Sequence, residues 1–147
     1  MKNVIMKISE TEYIKKEYFS NNKIEAYYKK TYYNNDKLDR RNGPAVTCYY
    51  ECGKISWEQY WINGEQHRLD GPANITYNLA GERVFEEYWV NNIYLYNFEK
   101  YCPSKIFKYI KKYPHHLKEV EILARHNKWL NEKDLELLSC QDLFCRK

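Results

Sequence analysis

The sequence predicts a mainly β fold: an antiparallel meander of stacked hairpin units over residues 1–97, with a small helical extension over 98–147. Three observations predict it. A 28-residue phrase occurs twice in tandem, over about 32–59 and 60–87, and a fixed period of this length marks small units that bury their apolar surface on their neighbours. Aromatic residues make up 17% of the chain, 16 of them Tyr, and such side chains suit strands. After Asn97 the period-two alternation stops and helical spacing begins.

The units justify themselves position by position. Tyr32, Tyr60 and Tyr88 are in step, as are Tyr33, Trp61 and Trp89, and Asn35, Asn63 and Asn91. Arg40 matches Arg68, Asn42-Gly43-Pro44-Ala45 matches Asp70-Gly71-Pro72-Ala73, Gly53 matches Gly81, and Trp57 matches Phe85. Residues 3–9 and 12–19 read as capping strands, followed by a degenerate strand–turn–strand unit over 18–24 ahead of Tyr27 and Tyr28. Residues 45–50 and 55–62 form the first full pair, turning at Gly53; residues 73–77 and 83–90 form the second, turning at Gly81. Asn63-Gly64 ends the long strand, and 66–72 loops back to Pro72, which lacks an amide proton and so belongs at a strand start. The third copy decays at Asn91-Asn92-Ile93.

Alternation puts Trp57 beside Phe85 and Trp61 beside Trp89 on one side, with Tyr60 beside Tyr88 on the other. Both sides are partly apolar, so sheet curvature, the C-terminal helices or a second copy of the chain should cover one of them. In the extension, a helix over 105–112 starts at Cys102-Pro103-Ser104, and Pro114 opens a longer one running to Trp129-Leu130. Asn131 caps a third helix with Leu135, Leu138 and Phe144 on its apolar side.

The phrase from Tyr60 to Ala73, with its Asn63-Gly64 turn, His67-Arg68 and Asp70-Gly71-Pro72-Ala73, resembles the MORN-like (membrane occupation and recognition nexus) repeats. It is closest to a longer variant common in proteins of large DNA viruses, phages and bacteria. The resemblance covers roughly residues 27–97, with Gly-Pro-Ala in place of the usual glycines after the turn. It implies a sheet of stacked hairpins used for protein contacts and often for homodimerisation, and it admits a viral origin with action in the host cytoplasm.

Composition excludes several classes. No apolar run reaches the length of a signal peptide or of the ~20 residues of a membrane span, so a cytoplasmic, intracellular protein is expected. Five Cys, an odd number without a secretory signal, read as reduced thiols. Cys48 and Cys52, Cys140 and Cys145, and the histidines His115, His116 and His126 lack the spacing of a zinc module, and Thr76 and Ala80 replace the first two thiols in the second copy. There is no Gly-rich phosphate loop and no nucleophile elbow. The residues predict no catalytic group, no metal and no cofactor. Asn63, Gly64, Arg68, Asp70, Gly71 and Pro72 read as turn-locking, since a group repeated with the fold serves the fold; an arginine fork suits loop carbonyls.

Residues 1–97 hold 13 basic and 13 acidic side chains, so the net charge of +4 lies wholly in 98–147. Residues 98–118 carry six Lys against Glu99. Lys105, Lys108, Lys111 and Lys112, interleaved with Tyr, are the candidate contact for nucleic acid or anionic lipid. The leading expectation is a non-catalytic interaction protein that binds itself, as a homodimer, or another protein through Trp57, Trp61, Phe85, Trp89, Tyr60 and Tyr88. Nucleic-acid binding through 100–118 is the alternative.

Overall fold

In the computed structural model, which describes residues 2–18, 28–95 and 103–140, the chain is mainly antiparallel β-sheet with three short α-helices. Strands β1 (Lys2–Lys7) and β2 (Glu12–Tyr18) pair along their whole length and lead to β3 (Tyr28–Asn34). The expected unit over 18–24 falls almost wholly outside the described residues. Next come β4 (Lys37–Leu38), β5 (Val46–Tyr49), β6 (Ile55–Gln59), β7 (Trp61–Ile62) and β8 (Glu65–Gln66). Strands β9 (Asn74–Tyr77), β10 (Arg83–Val90) and β11 (Ile93–Leu95) complete the set. The main sheet runs β1-β2-β3-β5-β6-β9-β10-β11, so its strands lie in chain order, and β4 folds back on β3.

Three short hairpins recur at 28-residue steps: β3/β4, β7/β8 and β10/β11. Each turns on two residues of positive φ: Asn35 (49°) and Asp36 (60°), Asn63 (52°) and Gly64 (81°), Asn91 (49°) and Asn92 (62°). That is the type I′ turn, whose twist matches the strands it joins. The third copy therefore does not decay at Asn91-Asn92: two asparagines tolerate the left-handed region well enough to close the hairpin.

The strand expected over 55–62 is interrupted at Tyr60. Its N–H donates to Ala73 O at 2.8 Å and its carbonyl accepts from His67 N at 3.1 Å, so its backbone is committed to the next loop and β7 leaves the main sheet to pair with β8. Tyr32 makes the matching bonds to Ala45 O and Asp39 N at 2.8 and 3.3 Å. β-Bulges fall at Ser56 and Val84, again 28 residues apart.

Register assigns the faces. Lys15, Thr31, Val46, Gln59, Asn74 and Glu87 form one continuous cross-strand row, and Glu17, Lys29, Cys48, Trp57, Thr76 and Phe85 form the adjacent row on the same side. At its early end Glu17 is held between Lys29 (2.7 Å) and Lys15 (2.9 Å), and the bond from Lys29 leads in keeping its carboxyl below the usual range.

The larger core lies at the late end of the sheet. Val90 and Leu95 pack with Ile106 and Ile110 of α1 (Pro103–Lys112), Val120, Leu123 and Ala124 of α2 (Leu117–His126), and Leu135 and Leu138 of α3 (Glu132–Ser139). Each of these larger aliphatic side chains gains about 2 kcal/mol from burial. Asn131 accepts from Asp134 N at 2.8 Å and caps α3. The helix expected to reach Trp129-Leu130 ends at His126. Lys128 turns left-handed (φ 54°), and Trp129 N and Lys128 N donate back to Ala124 O (3.0 Å) and Arg125 O (3.3 Å), a Schellman closure. Asn127 Nδ2 donates to Leu69 O at 2.5 Å, tying the helices to the loop after β8. Phe144 and Cys145 lie outside the described residues, as do Lys100, Tyr101 and Cys102.

Candidate functional site: an aromatic sheet face

Six aromatic residues are candidates for a partner surface, and the fold gives them different surroundings. β9 inserts between β6 and β10, so Trp57 and Phe85 are not neighbours: Thr76 separates them, pairing with both. Two strand spacings put their backbones about 10 Å apart. They flank a shallow concavity floored by Thr76 and Asn74. Phe85 is 54% exposed, and Val84 at the bulge is 58% exposed.

Beside this concavity runs a chain of polar groups. Gln66 Nε2 donates to Asn74 Oδ1, Asn74 Nδ2 donates to Glu87 Oε2 at 2.5 Å, and Trp89 Nε1 donates to the same carboxylate oxygen at 3.2 Å. One unit earlier, Trp61 Nε1 donates to Gln59 Oε1 at 3.3 Å. Each indole is thus anchored by the residue two positions before it. Trp89 also stacks on its cross-strand partner Tyr94, with ring centroids 5.1 Å apart. Trp61 and Trp89 lie on different hairpins and are not paired with each other.

Tyr60 and Tyr88 are engaged within the chain. Arg68 Cζ lies 3.8 Å from the Tyr60 ring centroid, and Tyr88 packs against the helical core. Burial leads in raising the Tyr60 hydroxyl above its ordinary value. Arg68 also donates to Pro72 O (3.1 Å) and to Asp70 Oδ1 (2.7 Å). Arg40 repeats the arrangement on Tyr32 (3.9 Å) and Pro44 O (3.2 Å). Gly71 and Gly43 leave room for these guanidinia, because a Cβ at either would stand 3.3 or 3.1 Å from the Cζ of Arg68 or Arg40.

The basic candidates sit on α1. Lys105, Lys108, Lys111 and Lys112 are exposed while Ile106 and Ile110 face the core. Among the described residues, no group of three or more His, Cys, Asp or Glu side chains is placed to hold a metal ion, and no helix is long and apolar enough to cross a membrane. Cys48 is buried; Cys52 and Cys140 are exposed. His116, weighed in the sequence only as a metal ligand, is buried and pairs with half-buried Tyr109, hydroxyl to Nδ1 at 2.8 Å. The two belong to different elements, α1 and the turn after Tyr113, so spacing along one helix gave no signal of the pair.

No family model, curated protein or solved structure matches the chain.

Proposed function

We propose that this protein is a non-catalytic interaction module, an array of MORN-like repeats with a helical extension, that binds a second copy of itself through the side of the sheet bearing Trp57 and Phe85. The observation that carries the reading is the exposure of Val84 and Phe85 on β10, in the stretch that pairs with β9. Apolar side chains held on a rigid sheet and left in water gain from association. The recurrence of the Arg–Tyr–Pro arrangement at 28-residue steps supports the repeat reading, since residues that lock turns are needed once per unit.

Light scattering across a concentration series tests it. The native chain should dimerise and Phe85→Ser should be monomeric. A native chain that stays monomeric at high concentration removes the reading.

The four exposed lysines of α1, a helix without acidic residues, favour a second reading, binding of nucleic acid. Filter binding over a salt series decides it: retention should fall steeply with salt and disappear when Lys105, Lys108, Lys111 and Lys112 are all changed to Ala.

A further inference from the structure

The loops 40–43 and 67–70 stand one unit apart and enclose a cleft of about 500 Å³, within the range of small-molecule sites. Arg40 and Arg41 line one wall, His67 and Arg68 the other, with Tyr60 between them and His126 from the end of α2 closing one side. We propose that this cleft binds a small phosphate-bearing anion.

Charge argues for it. Three arginines line the cleft against one lining carboxylate, Asp70, and that carboxylate is already paired with Arg68 at 2.7 Å. The remaining excess of two positive charges suits a dianionic phosphate better than a single carboxylate. Arg41 is exposed and makes no hydrogen bond or ion pair among the described residues, so its five donors are available. Arg40 spends one N–H on Pro44 O. Planar guanidinium forks match phosphate oxygens two at a time. His67 adds a neutral donor: its Nδ1 accepts from Asn91 N at 3.2 Å, which leaves the ring proton on Nε2.

The neighbouring unit supplies an internal comparison. A cleft of about 450 Å³ lies on the other side of Arg40 and Arg41, lined by Tyr32, Asp39 and Glu12. Tyr32 stands there for Tyr60 and Asp39 for His67, at the 28-residue offset. Its lining has two carboxylates with those two arginines, where the first cleft has one carboxylate with three arginines. One framework therefore yields a neutral cleft and a cationic one, and the difference lies in the residues that line them.

The test is calorimetric titration of the full chain with inorganic pyrophosphate, with sodium chloride at equal ionic strength as the control. One site per chain is expected, with a rise in melting temperature. Arg41→Ala, which removes an exposed and unpaired side chain, should weaken binding on the order of tenfold. His67→Asp, which copies the neutral cleft, should weaken it as well, whereas Phe85→Ser should not. Three results would each overturn the proposal: no heat at millimolar pyrophosphate, heat reproduced by the chloride control, or affinity unchanged by Arg41→Ala but lost when the four α1 lysines become Ala.

Discussion

The guanidinium of Arg68 lies over the ring of Tyr60, 3.8 Å from Cζ to centroid, while its nitrogens reach Pro72 O and Asp70. A lysine ammonium has no planar fork to hold the ring and both oxygens in this geometry. Arg68→Ala should cost about 2 kcal/mol and Arg68→Lys about 1 kcal/mol, because both strip the planar contact and the lysine recovers only part of the charge. Urea denaturation of the two variants checks the order. A lysine variant as stable as the native chain would show that charge alone matters there.

Lys128 occupies the left-handed position that closes α2, with φ 54°. An L side chain is disfavoured in that region and glycine is not. Lys128→Gly should therefore stabilise the protein by about 1 kcal/mol, and Lys128→Val should destabilise it. Thermal melts of both variants give the signs directly.

Stability should fall on the alkaline side. Burial first, then the bond to Glu58, pushes the Tyr77 hydroxyl from 10.0 up to about 12, and burial pushes the Cys48 thiol from 9.0 up to about 12. Both groups hold their protons more tightly in the fold than in the unfolded chain. Their contribution is complete below the unfolded values and drains away as pH climbs from those values towards about 12. Urea midpoints measured along this range should decline, and Tyr77→Phe should decline less steeply. Cys48 should also resist alkylation in the native state, while Cys52 and Cys140 react.

The acid side has a different agent. Burial, reinforced by His115, holds the His116 imidazole below its ordinary 6.5. A depressed histidine contributes stability that is present above the unfolded value and is lost as pH falls through the folded one. NMR titration should place His116 below 6.5, and helix melting should weaken over the same interval. A His116 resonance titrating at or above the ordinary value would contradict this.

The hairpins were legible in the sequence because Asn63, Arg68 and Gly71-Pro72-Ala73 each have one physical job and recur at the 28-residue offset. Strands β1, β2, β5, β9 and β10 lie within a residue or two of where alternation puts them. The break at Tyr60 was hidden, since alternation continues through Trp61; only the bonds from Tyr60 to Ala73 and His67 reveal that the backbone changes partner. The spacing of Trp57 and Phe85 was missed for a related reason. A period counts residues along the chain, and the short strand β9 that returns between them takes up one lateral position. The closure of α2 was hidden because a lysine, not a glycine, takes the left-handed position. The cationic cleft could not be read from either loop alone, as its walls come from two units.

The bonds that recur from one unit to the next also bear on heredity. Arg40 N donates to Trp61 O and Arg68 N to Trp89 O, each at 3.1 Å, so a unit is tied to its successor by a contact that the successor reproduces. Copying errors that add or drop 28 codons within this stretch preserve every such tie and change only how many there are. Frame-preserving errors that are not multiples of 28 codons shift Tyr, Arg and Pro out of step. A product longer or shorter by one such step should therefore keep a continuous sheet.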